Sequence, residues 1–115
     1  VSVIARTTEG DIGILANHEP LLAILVPCAA EVLSTEGERK IVAVDGGFLS
    51  VSDNRVSILS SYGKMAREIS LPDAERELAA AQKRLEEGDV STETMQHFHR
   101  ASAQVKAAAK MAGTR

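Results

Sequence analysis

Three histidines and one cysteine are the side chains here best suited to chemistry, and their neighbours decide what that chemistry could be. His18 sits in GDIGILANHEPLL, residues 10–22, between Asn17 and Glu19-Pro20, where an imidazole can act as a base, ligate a metal or stabilise a turn. Glu93 and His97 are four residues apart, so on a helix they share a face and offer two metal ligands. His99 points to nearly the opposite side, and no further ligand is at hand. Cys28 has no second cysteine for a disulfide or a zinc pair and nothing nearby in sequence to lower its pKa, so it reads as a buried bystander thiol in a reducing compartment. There is no P-loop, no dinucleotide glycine fingerprint and no nucleophile elbow, and no serine comes with an obvious His and Asp partner. These patterns favour a loop or interface role for His18 over a general base, and they point to no catalytic residue and no metal.

The elements that must position these groups fall into two halves with different periods. From Val1 to about Ser70 the apolar residues alternate or come in short β-branched runs, VSVIA, LLAILV, AEVLS, KIVAV, FLSVS and RVSIL, each bounded by turn-forming residues. That pattern predicts an antiparallel β-sandwich or barrel. Asp45-Gly46-Gly47 and Asp53-Asn54 read as turns, so residues 39–59 are expected to form a three-stranded meander. After Ser70 the period changes. Ser70 caps and Pro72 opens a helix whose Leu71, Ala74, Leu78, Ala81 and Leu85 share one face, and Gly88 ends it. Ser91 or Thr92 caps a second helix carrying Met95, Phe98, Ala101 or Ser102, Val105, Ala109 and Ala112 on one side. The expected architecture is α+β, with a sandwich over 1–70 and an antiparallel helical hairpin over 71–115. Faces made mostly of alanine bury little area, so the hairpin must lean on the sandwich or on another protein.

Composition narrows the partners. At 115 residues the chain can build one domain with a core, or one domain with a small appendage. A net charge of −3 from 13 basic and 16 acidic residues argues against nucleic-acid binding and against anionic lipid. The longest apolar run, LLAILVPCAA, is about half what a membrane helix needs. Charge is divided between the helices: residues 72–89 sum to −3 and residues 93–115 to +3. The last helix is thus a cationic arm suited to an acidic protein surface, or a solvated helix whose lysines complement its own dipole.

Three segments, in order, resemble the epsilon-subunit family of bacterial F-type ATP synthases: TTEGDIGILANHEPLL, VDGGFLSV and VSILSSYGKMAREI, followed by the Ala-rich hairpin. The likeness covers essentially the whole chain. It departs at Asn17, where the family usually has Gly, and at Ser50, where an acid is common. It also implies a further strand upstream of Val1.

The resemblance implies a non-catalytic central-stalk subunit peripheral to the cytoplasmic face of the bacterial membrane. In such a subunit the sandwich clamps gamma and rests on the c-ring loops, coupling proton flow to ATP synthesis, while the hairpin reaches the alpha and beta subunits to block ATP hydrolysis. It places Asp11, presented on a loop shaped by the glycines of GDIGIL, toward the c-ring and His18 near gamma, and it makes Arg100, Lys106 and Lys110 the contacts to alpha and beta. Some members hold a regulatory ATP at a helix-start motif, Ile-Asp-x-x-Arg-Ala. PDAERE keeps Asp73 and Arg76 but has Pro72 and Glu77 at the flanking positions, so these two read equally as a helix-start acid and a surface i, i+3 pair. Two other classes compete: a free-standing sandwich binding module with the hairpin as a dimerisation element, and a small metal enzyme using Glu93 and His97.

Overall fold

The computed structural model describes residues 2–7, 10–15, 20–33, 37–52 and 55–113. Among these residues eight strands precede two helices: β1 Ser2–Thr7, β2 Gly10–Leu15, β3 Leu21–Leu25, β4 Cys28–Leu33, β5 Arg39–Val44, β6 Gly47–Ser52, β7 Arg55–Leu59 and β8 Gly63–Met65. A 3₁₀ turn over Ala66–Glu68 then leads to α1 Leu71–Glu86 and α2 Thr92–Ala112. The ladder runs β7-β6-β3-β1-β4-β5-β8, with β2 on the other edge of β1.

The two layers of the sandwich meet at β1. Its first half pairs with β4, Ser2 opposite Leu33 through Ile4 opposite Glu31, while its last residue, Thr7, pairs with Leu25 of β3. Alternation along each strand then sends one set of side chains between the layers. Val3 and Ala5 of β1, Leu25 of β3, Cys28 and Ala30 of β4, Val44 of β5 and Leu49 and Val51 of β6 form this core. Aliphatic and alanine side chains fill it, in keeping with the scarcity of aromatics.

Two expectations are corrected here. The glycines of GDIGIL are not in a loop: Gly10–Leu15 is a strand paired along the whole of β1, from Ser2 opposite Leu15 to Thr7 opposite Gly10. Nor do residues 39–59 form a meander, because β5 pairs with β4 and β8 while β6 pairs with β3 and β7. The Asp45-Gly46 link crosses from one layer to the other. Gly46 and Gly47 have φ of 119° and 125°, far from the turn conformations that fold a strand back on its neighbour. Gly47 is also where a side chain cannot fit: a Cβ there would lie 2.0 Å from the Leu59 carbonyl oxygen. Only β6 and β7 make the expected hairpin, with Ser52 opposite Arg55, and its turn residues Asp53 and Asn54 lie outside the described residues.

The helices start where their caps predict. The Ser70 hydroxyl accepts the Asp73 amide and Pro72 lies in the first turn of α1, while the Ser91 hydroxyl accepts the Thr94 amide. Asp89 reinforces the second cap, its Oδ1 accepting from Ser91 N at 3.1 Å and its Oδ2 from the Thr94 hydroxyl at 2.8 Å. α1 packs along α2, and α2 lies against β4, β5 and the 3₁₀ turn. The hairpin therefore leans on the sandwich.

Candidate functional site

The site begins with the alternation of β5. Val42 and Val44 face the sandwich core, whereas Ile41 and Ala43 face outward and join Ala29, Ala66 and Ile69 in a second apolar cluster. Ala103 and Ala107 of α2 complete that cluster, one helical turn apart. Methyl side chains let the helix approach the sheet closely, but each contributes only about 1 kcal/mol of burial. Against the expected stripe, Ala109 and Ala112 are exposed while Ala103, Ala107 and Ala108 are buried. α2 is alanine on most sides, so its own period does not choose a face; the sheet and α1 do.

Polar contacts flank this apolar seam. Arg100 donates from Nε to Asp45 Oδ2 at 2.9 Å, and its guanidinium lies 4.9 Å from the centre of the Tyr62 ring, within cation–π range. Gln104 donates to the Tyr62 hydroxyl, and Ser60 Oγ donates to Asp45 Oδ1 at 3.2 Å. Asp45 is a hub because the layer crossover places its carboxylate under α2, with its side chain only 10% exposed. Farther along the helix, Lys110 Nζ lies 3.6 Å from Glu31 Oε1, and Glu31 is also paired with Arg39 of β5. The Arg39 guanidinium holds the Glu31 carboxyl below its ordinary range. Between the helices, His97 Nε2 meets Glu77 Oε1 at 2.7 Å.

The structure thus brings two of the three expected cations, Arg100 and Lys110, onto acids of the sandwich, and leaves Lys106 exposed between them in sequence. Asp73 and Arg76 pair with each other on the exposed first turn of α1, the geometry of a surface i, i+3 pair. Asp11 stands in β2 opposite Arg6, and His18 lies outside the described residues. Glu93 and His97 share one cavity with Glu77 and Tyr62, and His97 is engaged by Glu77; among the described residues no group of three or more potential ligands could hold a metal ion.

Sequence reasoning missed both the acids that meet α2, Asp45 and Glu31, and a second surface on the opposite layer. Ile24 of β3 stands opposite Phe48 of β6, which stands opposite Leu59 of β7. The three form a row across the outer face, 53%, 47% and 64% exposed, and Leu22 extends it at 68%. The signal was present in LLAIL, a strand apolar on both faces, the pattern of a strand with something to bury on each side. The β4–β5 face is covered by α2, whereas this row stays open.

Residues 1–63 match the family described as ATP synthase, Delta/Epsilon chain, beta-sandwich domain. The ATP synthase epsilon chain of Cutibacterium acnes is 42% identical over 121 residues, covering 98% of this chain and 82% of that relative. That of Streptomyces avermitilis is 43% identical over 91 residues, covering 79% of this chain and 71% of the relative. In fold, the chain is similar to one in the mitochondrial ATP synthase of Euglena gracilis, solved as an OSCP/F1/c-ring assembly, with a TM-score of 0.74 at 23% identity, covering 97% of this chain and 69% of that one. No helix among the described residues is long and apolar enough to cross a membrane.

Proposed function

The chain belongs to the epsilon-chain family of ATP synthases, and from that premise we propose that it is a non-catalytic rotor subunit of the central stalk, with its sandwich as the docking part and its helical hairpin as a detachable regulatory part. The observation that carries this reading is the apolar row Ile24, Phe48 and Leu59, open on the face opposite the docked helix. A row of this kind suits a permanent protein partner, and we assign it to gamma; His18, outside the described residues, is assigned to gamma on the family resemblance alone. The strand bearing Asp11 is assigned to the c-ring loops. Turning with the stalk, the subunit couples proton flow to ATP synthesis from the cytoplasmic face of the membrane.

The hairpin, residues 71–115, is the regulatory half of the proposal. Its docking rests on small alanine contacts and a few ion pairs, a balance that a competing acidic surface can tip. When it swings toward the alpha and beta subunits, Arg100 and Lys110 exchange Asp45 and Glu31 for acids of those subunits, Lys106 joins them there, and hydrolysis stops. Asp73 and Arg76, paired on an exposed turn, are a weak cradle for a regulatory ATP, because each already satisfies the other.

Truncation after Leu71 tests the reading. The assembled complex should form normally and hydrolyse ATP faster. Unchanged hydrolysis would count against an inhibitory hairpin, and failed assembly would count against the division at residue 70.

A further inference from the structure

Both helices and the sandwich meet at a cavity of about 280 Å³, lined by Glu77 of α1, Glu93, His97, Arg100 and Gln104 of α2, and Tyr62 before β8. Helical spacing builds it. Glu93, His97, Arg100 and Gln104 follow one another at intervals of four, three and four, so they form one stripe along α2. The later part of that stripe is fixed to the sandwich, through Arg100 on Asp45 and over the Tyr62 ring, and through Gln104 on the Tyr62 hydroxyl. The earlier part is fixed to α1, where His97 Nε2 lies 2.7 Å from Glu77 Oε1. α1 packs along α2, and among the described residues no strand makes a comparable contact with α1. Apart from the chain link at Ser70, α1 is therefore joined to the body through the seam that Glu77 and His97 close.

Of the side-chain types in this cavity, only an imidazole ordinarily exchanges a proton between about pH 5 and 8. Neutral, it can give the Glu77 carboxylate one hydrogen bond; protonated, it forms a charge-assisted bond there and is also drawn to Glu93, one turn back on its own helix. The opposing charge is Arg100, one turn on, and its guanidinium is engaged by Asp45 and Tyr62. The sandwich contributes the Tyr62 phenol and, behind Arg100, the Asp45 carboxylate. Two carboxylates thus face His97 against one guanidinium already compensated. We propose that Glu77 and His97 are a proton-operated clasp between α1 and α2, which tightens the hairpin as pH falls through the imidazole range and loosens it as pH rises. The sign follows from the charges: the closed hairpin favours the protonated imidazole, so the contribution is full at the acid end of the range and is lost toward the alkaline end.

The clasp lies one turn of α2 from Arg100, so it ties α1 to the very segment that is held on the sandwich. Acid therefore favours the folded-back hairpin, and alkali favours the extended, inhibitory one. This regulatory consequence rests on the detachable hairpin proposed above; the clasp itself rests on the contacts alone.

A double-mutant cycle in the isolated chain tests the clasp. Wild type, Glu77→Gln, His97→Gln and the double variant are unfolded in urea at about pH 5.5 and about pH 8, toward either end of the imidazole range. Helix content is followed by circular dichroism, since α1 and α2 supply the long helices. The Glu77–His97 coupling should change the unfolding constant by about two- to fivefold at the lower pH and shrink toward unity at the higher. An equal coupling at the two pH values, or none at the lower, overturns the proposal. Both side chains reach solvent, Glu77 at 63% exposure and His97 at 35%, so the variants should fold. His97→Lys, which carries its charge at both pH values, should keep a coupling to Glu77 that no longer varies with pH; one that still varies also overturns the clasp. The regulatory consequence is read separately in the assembled complex. There His97→Lys should relieve inhibition of ATP hydrolysis at about pH 8 by up to about fivefold, and a rate equal to wild type refutes it. If instead truncation after Leu71 leaves hydrolysis unchanged, the inhibitory hairpin fails and the result of the cycle stands.

Discussion

Asp45→Asn tests most directly whether α2 is held to the sandwich by charge. Asparagine keeps the size of the side chain and can still accept from Ser60, but it no longer offers a charge to Arg100, whose Nε lies 2.9 Å from Asp45 Oδ2. A shielded charge-assisted hydrogen bond contributes about 1.5–3 kcal/mol, and an exposed ion pair about 0–1 kcal/mol. With the Arg100 side chain 37% exposed and that of Asp45 10%, the pair lies between these limits. The expected loss is about 1–2 kcal/mol, which lowers the docked population relative to the extended one by about 5–30-fold. That loss is comparable to the burial of Ala103 and Ala107 together, at about 1 kcal/mol each, so it should be felt. Amide hydrogen exchange across α2 and β5 should accelerate, and a double-mutant cycle with Arg100→Gln should give a coupling of about 1 kcal/mol. In the assembled complex the freed helix should deepen inhibition of hydrolysis, since Arg100 itself is untouched. A coupling below about 0.3 kcal/mol together with unchanged exchange in α2 would refute the reasoning.

Gly47→Ala should cost at least about 2 kcal/mol in urea unfolding, because its Cβ would meet the Leu59 carbonyl at 2.0 Å with φ at 125°; a near-wild-type midpoint would disprove the close approach. Phe48→Thr with Leu59→Thr should leave the unfolding midpoint of the isolated chain within about 1 kcal/mol of wild type yet abolish co-purification with gamma, and retained gamma would place that interface elsewhere. Glu31, whose folded pKa is depressed by Arg39, contributes stability that is fully present above its ordinary value of 4.5 and is lost as pH falls through the lower folded value. Glu31→Gln should therefore destabilise the chain at pH 7 and flatten that acid limb of the stability curve, and an unaltered acid limb would show that the carboxylate contributes nothing. Ser91→Ala should lower stability by about 1 kcal/mol through loss of the α2 cap, measured as thermal unfolding by circular dichroism.

How much of this was legible follows from what each residue does locally. The runs LLAIL, KIVAV and RVSIL read as strands because β-branched and apolar residues alternate between turn formers, and the caps at Ser70 and Ser91 read as helix starts because a hydroxyl there satisfies a free amide. By contrast, β2 carries Gly10 and Gly13, and β8 is only Gly63–Met65; neither has a period of its own, and each is a strand because a neighbour's backbone pairs with it. Asp45-Gly46-Gly47 announces a change of direction, but residues in a turn do not specify whether the next strand lies alongside or across the core.

The charged residues divide the same way. From sequence alone, the +3 segment 93–115 suited either an acidic surface or plain solvation, and the family resemblance singled out its cations as candidate contacts. Only the tertiary structure decided that Asp45 and Glu31 of the same chain meet those cations in the docked form, because they lie 55 and 79 positions from their partners; the crossover between layers brings Asp45 beneath α2, and alternation along β4 turns Glu31 toward it. Sequence determined the strands other than β2 and β8, the helices, their caps and the family. The pairing of the layers, the face that α2 buries and the row left open at Ile24, Phe48 and Leu59 were decided in three dimensions, since alternation assigns a side chain to a face but not to what will cover it.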